Sequence, residues 1–495
     1  MFGQLKLRAA VETLRPVQLW VSVTALVLAP LPFGSIDQLS IAVWAIVLSI
    51  STLLGAAAPV NTVQLRIVMV FVAVCAVYAL VAALQVTPHF LDQFSDPIWH
   101  QMNEVLGLDV APRISSQKEV SAAATGRFLL LLTSFLSGFF VGTTSRPARI
   151  LMLAARASIL VYAIYGLIAL VLTPDMLLWA PKLAYGGSLT STFVNHNTAA
   201  TFVGAGVILW SCWAYRPLQS LELSSLRLLL LDSANERLAL TLIIRAGAAL
   251  TCFFALLLTG SRGGLICTCA GLLVAIGLMA ASGRKKKLGH IAGAGTIALV
   301  LASVWLSSEG RIGSEGFVDN GRLRVYTLCL DVIRQHPLFG TGVGTFEQYF
   351  PSVRTGDFNT WGVWDYAHST ILEIAVEMGI PAAGMVGAAA FAALLMLARA
   401  TLKAAEPGRG SSLAAVAGIA VLTYLHAAID FSLQIPGYLI VFGLLLGCGL
   451  ARSAAEQVKE ARQGSRLKLS SEPGLESKAM SEGFADVSPA LRKKL

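Results

Sequence analysis

One histidine and a group of arginines are the residues of this chain best suited to do chemistry. His368 stands where a long polar stretch, Arg311 to Gly384, re-enters apolar sequence, and five arginines precede it: Arg311, Arg322, Arg324, Arg334 and Arg354. An imidazole titrates near neutral pH and can take up or release a proton there. Guanidinium groups stay charged and hold carboxylates or phosphates through paired N–H donors. A titratable base beside fixed cations, at a lipid boundary, suits a reaction on an anionic, lipid-linked substrate. Arg262 joins the set because it lies in TGSRGG (259–264), a tight turn between two apolar runs, where glycines admit the close approach of a ligand or backbone.

Other polar residues in apolar surroundings are candidate support. Asn195 and Asn197 fall in STFVNHNTAA (191–200), at the mouth of an apolar run. His426 and Asp430 are spaced i, i+4, so that they share one helix face. They can pair and brace the site, or make a buried helix–helix contact. Thr370 and Glu373 have the T-x-x-E spacing of a capping box, which gives Glu373 a structural task. Glu377, one turn further inside the apolar run, is costly there and so is either functional or bonded to a neighbouring helix. The glycines of GTGVGTF (340–346) lack the spacing and the βαβ setting of a nucleotide loop. They fit a turn that packs or that offers backbone amides to an anion. No HExxH, DxD, P-loop or paired CxxC occurs, so neither a metal nor another cofactor is implied.

The elements that must position these groups are membrane helices. The chain has 495 residues, 56% hydrophobic and 13% charged, with mean hydropathy +0.70. A soluble chain would carry about 25% charged residues. All seven cysteines but Cys329 fall in apolar runs and imply no disulfide framework. Windows long enough to cross a bilayer number about twelve: 17–33, 36–55, 67–86, 126–142, 150–173, 195–214, 239–259, 263–281, 289–307, 370–398, 413–430 and 435–451. The expected fold is all-α and polytopic, with residues 1–452 as the membrane domain, one large outer loop at 308–369, and a disordered cytoplasmic tail from 453 to 495. Placing both termini inside puts 27 of the 37 basic residues on the cytoplasmic side, GRKKK at 283–287 among them. The net charge of +9 is thereby explained by topology, with no nucleic acid as partner. Half of the ten outer basic residues crowd into the 308–369 loop. A transporter or flippase is the rival class. It predicts charges near the midplane and repeated broken helices, whereas the charges here gather at one face.

At these residues the chain resembles the superfamily of O-antigen ligases and O-antigen polymerases, bacterial membrane enzymes of polysaccharide assembly. The matching pieces are TFVNHNTAA (192–200), TGSRGGL (259–265), GRLRVYTLCLDVIRQHPLFGTGVGTF (321–346), HSTILEIAVEMGIPAAG (368–384) and DFSLQIP (430–436). His368, Ser369 and Gly379 fit the ligase pattern of His, then Asn, Ser or Gln, then nine residues before Gly. Ala382 and Gly384 depart from the remainder of that pattern, so ligase and polymerase both stay open. The resemblance implies a GT-C-like fold in the inner membrane and glycan transfer from a polyprenyl-diphosphate donor at the periplasmic face. The acceptor would be lipid A–core or a second lipid-linked repeat. It further implies that Arg262, Arg322 and Arg324 hold the diphosphate, that His368 accepts the acceptor's proton, and that Asn195, Asn197, Glu377 and Asp430 lend support.

Overall fold

A computed structural model describes residues 2–218, 236–282, 320–354, 364–404 and 407–471. Fourteen α-helices occur among them. In chain order they are α1 (Phe2–Leu28), α2 (Gln38–Ala56), α3 (Thr62–Val86), α4 (Pro97–Leu106), α5 (Ala122–Gly142), α6 (Ser145–Leu172), α7 (His196–Leu218), α8 (Glu236–Leu258), α9 (Arg262–Ser282), α10 (Asn320–Gln335), α11 (Phe346–Val353), α12 (Thr370–Lys403), α13 (Pro407–Ala427) and α14 (Pro436–Ser471). The only sheet among the described residues is a two-residue hairpin pairing Met176–Leu177 with Ala180–Pro181.

Ten of these helices are long and apolar enough to cross a membrane, and the Thr13–Leu28 part of α1 is a shorter apolar helix. The protein is an all-α, polytopic membrane protein. The expected span at 289–307 lies outside the described residues, as do GRKKK, Arg311 and parts of the 308–369 loop. Of the tail expected from residue 453, the stretch to Ser471 continues α14 and the rest lies outside the described residues.

Burial sorts the helices. The apolar windows of α7, α13 and α14 are 83%, 78% and 89% buried, so these three form the centre. Those of α3 and α12 are 11% buried and ring the bundle. Small residues let the inner helices touch, as they do wherever lipid supplies no hydrophobic drive for helix association. A Cβ at Gly271 of α9 would run into the backbone of Gly418 on α13, and one at Gly447 of α14 would run into Phe135 of α5.

Several of the connections meet one another at one end of the bundle. Thr192 Oγ1 donates to the Pro30 carbonyl (2.6 Å), Leu189 N to the Leu258 carbonyl (2.9 Å), and Ser116 N to the Thr341 carbonyl (2.9 Å).

Helix α12 is broken at Gly379, whose φ of 79° and ψ of 171° only glycine adopts readily. Pro381 follows and has no N–H to give to the carbonyl four residues back. That carbonyl, of Glu377, is instead taken by Gly342 N (3.0 Å) and by Gln85 Nε2 of α3 (2.8 Å). Val376 O receives Thr341 N (2.9 Å), and Ile380 N reaches Pro337 O (2.8 Å). The 336–345 loop therefore supplies the hydrogen bonds that the helix interior lacks. Its glycines are needed for contact: a Cβ at Gly340 would collide with the backbone at Glu377.

Candidate functional site at the loop end of the bundle

The site is built around Asp430, which lies in the connection from α13 to α14 and is 1% exposed. A buried carboxylate is tolerable only if its oxygens are satisfied. Its Oδ1 receives the Phe431 amide (2.8 Å), and its Oδ2 receives Asn197 Nδ2 (2.7 Å) from the first turn of α7. The same Oδ2 lies 3.5 Å from Arg322 Nη2 on α10 and 3.8 Å from His368 Nδ1, just ahead of α12. Burial pushes the Asp430 carboxyl up. The adjoining His368, with His426 and the Arg322 guanidinium, outweighs that and holds its pKa below the ordinary carboxylate range.

His368 is held in an unusual way. Its φ is 52°, a left-handed backbone that costs a non-glycine residue about 1–2 kcal/mol. Tyr326 Oη donates to its carbonyl (2.8 Å), and the ring meets Trp364 and Phe431 edge-on at 5.3 and 4.9 Å. Nδ1 faces Asp430 at ion-pair distance, beyond hydrogen-bond reach, and is buried without a hydrogen-bond partner. Arg322 and Tyr326 sit one turn apart on α10. They share the Ile429 carbonyl, at 3.0 Å from Arg322 Nη1 and 3.5 Å from Tyr326 Oη.

Of the residues singled out from sequence, His368, Arg322, Asp430 and Asn197 come together directly. Arg262 is tied in through its neighbour: Ser261 Oγ donates to Asn197 Oδ1 (2.7 Å) and accepts the Gly264 amide (3.1 Å), capping α9. Asn195 acts one step back, its Oδ1 accepting the Asn197 amide (2.7 Å). Arg324 lies about 200° around α10 from Arg322 and so points to a different side. Glu377 is engaged elsewhere, its carboxylate accepting the Phe346 amide (3.1 Å) at the start of α11. The GTGVGTF loop thus turns its Phe346 amide toward a carboxyl group of the protein itself.

Two local expectations change. The cap of α12 is Ser369, which accepts from Leu372 N (3.3 Å), in place of Thr370; Thr370 Oγ1 donates to the Asp430 carbonyl (3.3 Å). Glu373 accepts the Ala367 amide (2.9 Å), so it fastens the turn that carries His368. His426 makes its hydrogen bonds with Thr201 Oγ1 (3.0 Å) and Ser432 Oγ (3.2 Å) and braces the Asp430 loop from behind. Tyr326, Ser261 and Trp364 escape a reading of the sequence, for nothing local marks them.

Beside the site lies an apolar cavity of about 550 Å³ among α3, α5, α12 and α14. It reaches from Arg127, Thr370 and Gln434 at the loop end to Arg66 and Leu450 at the far end. Along α3 it runs from Val63 to Tyr78, about 22 Å at 1.5 Å per residue. It does not include His368, Arg322 or Asp430. Tyr366, stacked on Phe431 at 4.3 Å and bonded by Arg127 Nη1 at 3.4 Å, links the two regions.

No curated protein matches the chain. The model of the family described as O-antigen ligase matches residues 247–387, a segment that carries Arg262, Arg322, Arg324, His368, Gly379 and the helix break. That match supports the place of this membrane protein in the O-antigen ligase superfamily.

Proposed function

We propose that the protein is a glycosyltransferase that moves a glycan from a polyprenyl-diphosphate carrier to a hydroxyl acceptor at the periplasmic face of a bacterial inner membrane. The observation that carries this reading is the meeting of Arg322 and His368 on one buried carboxylate, Asp430. With Nδ1 turned toward Asp430, the other ring nitrogen, Nε2, takes the proton of the acceptor hydroxyl. The freed oxygen attacks the anomeric carbon, the carbon–oxygen bond to the diphosphate breaks, and the carrier leaves with the bonding electrons. A single displacement inverts the anomeric centre. The leaving diphosphate needs positive charge more than a proton, and arginine contacts contribute about 1.5–3 kcal/mol each in a partly dry site. Arg322 and Arg262 fill this role, and the reaction needs no metal. The apolar cavity between α3 and α12 suits an isoprenoid tail.

His368→Ala, assayed for glycan transfer in membranes at matched expression, is expected to lose the 10²–10⁴-fold typical of a general base. A wild-type rate refutes the role. Ala382, at a position where the ligase pattern departs, favours a second acceptor class, another lipid-linked repeat. Deleting the gene separates the two: unsubstituted core with accumulated lipid-linked polymer indicates a ligase, and single-repeat products indicate a polymerase.

A further inference from the structure

A second feature of the loop end has no part in the proton transfer or in diphosphate binding. The 173–195 connection folds back over the first turn of α7 and presents Tyr185, half-buried, against His196. The two rings stack with centroids 4.2 Å apart and planes 21° from parallel. His196 is fixed in turn, because its Nδ1–H donates to the Thr259 carbonyl (2.8 Å), two residues before Ser261. The next residue, Asn197, is the one that grips Asp430. One helical turn therefore mounts both the carboxylate hub and the aromatic pair.

Tyr185 adopts a left-handed backbone with φ of 60°, as does Gly187 at 71°, in a turn closed by Ser188 N on the Tyr185 carbonyl (3.1 Å). Holding a bulky aromatic there is strained, and such strain gathers at ligand clamps. The turn after Tyr185 is uncrowded, since a Cβ at Gly187 would meet nothing within 4 Å and one at Gly186 only Asp175 Oδ1 at 3.8 Å, and Tyr185 itself is only half-buried. The phenol also feels the site. Burial raises its pKa, Asp430 raises it further, and Arg322 pulls it down, which places the hydroxyl within electrostatic range of both.

We infer that the Tyr185–His196 stack is a platform for a pyranose ring, setting the sugar nearest the reacting centre beside Asp430 and Arg322. A sugar ring presents a face of polarised C–H groups that an aromatic face attracts, while its hydroxyls need partners such as those nearby. This role rests on the glycosyltransferase reading above. The ring belongs either to the donor or to the acceptor glycan.

The test is steady-state transfer by the purified full chain in proteoliposomes, with donor and acceptor glycolipids extracted from the source membranes and each titrated in turn. Tyr185→Leu is expected to raise KM for one of the two about tenfold, with kcat changed less than about twofold. Tyr185→Phe is expected to restore most of that loss. A rise confined to the donor titration assigns the ring to the donor, and one confined to the acceptor titration assigns it there. Unchanged KM values for both, with His368→Ala inactive, overturn the platform and leave the reading of the site intact. A wild-type rate for His368→Ala overturns the reading itself. Should Tyr185→Leu not fold, His196→Gln keeps a donor for the Thr259 carbonyl and removes the ring behind Tyr185. It carries the same expected rise, and an unchanged KM there overturns the proposal.

Discussion

Replacing Asp430 by asparagine removes the charge on which His368 and Arg322 converge while keeping the side chain's shape. The two donors use different oxygens, Asn197 Nδ2 (2.7 Å) on Oδ2 and the Phe431 amide (2.8 Å) on Oδ1, and asparagine has only one, so one bond weakens and the other is lost. Hydrogen bonds to a charged acceptor contribute about 1.5–3 kcal/mol and neutral ones about 1, so weakening one and losing the other costs about 2–5 kcal/mol. Arg322, 28% exposed and 3.5 Å away, is partly screened and adds little to that. Alanine would strand both donors in a site 1% exposed and cost about 3–5 kcal/mol, enough to threaten the fold. Asparagine is thus the informative change. The protein is expected to reach the membrane at near-normal levels and to lose about 10²–10⁴-fold in transfer rate, the range of a misplaced general base. Thermal unfolding in detergent and glycan transfer at matched protein separate the two effects. Transfer within about twofold of wild type would refute the view that the carboxylate orients the imidazole. The pH dependence has a definite sign. The folded pKa of Asp430 lies below its ordinary 3.8, so its ionised form stabilises the fold above that value. The contribution disappears as pH falls through the lower folded value, and Asp430→Asn should flatten the acid limb of unfolding.

Three further outcomes follow from the geometry. Tyr326→Phe removes the hydroxyl that holds the His368 carbonyl at 2.8 Å, and it should cost about 0.5–1.5 kcal/mol and slow transfer while leaving donor KM near wild type. Gly379→Ala must enter a backbone region reserved for glycine and meet the Leu338 carbonyl, so it should cost more than about 3 kcal/mol and open the 336–345 loop to protease. His336, bonded to Tyr349 Oη at 3.2 Å, has its pKa lowered by burial, an effect partly opposed by Asp96. Its neutral form therefore supports the fold above the ordinary 6.5, and that support declines as pH drops from there toward the lower folded value. Hydrogen exchange in residues 336–349 should speed up over that interval, and His336→Gln should remove the dependence.

Much of the fold is legible in the sequence alone. Runs of apolar residues mark eleven of the expected helices because a bilayer demands length and hydrophobicity, both of which are local. His368 and Arg322 stand out because charged and titratable groups are rare in such a chain. The groups that hold them are hidden. Asn197 and Asp430 are 233 positions apart, and no periodicity announces their bond. The cap of α12 is ambiguous because Ser369 and Thr370 are adjacent hydroxyl residues; the left-handed turn at His368 decides in favour of the first. The glycines of 340–344 read as a turn that packs or that offers amides to an anion; in the structure they pack against the broken helix, and the following Phe346 amide meets the Glu377 carboxyl group.

The clasp at the break in α12 also ties together distant stages of synthesis. Gln85, made early, is fully buried and reaches both the 336–345 loop and the Glu377 carbonyl, made nearly 300 residues later. The 336–345 loop is accordingly no interchangeable module: a graft of it into a relative would need a matching amide on the third helix, or the recipient helix would be left with buried carbonyls unpaired.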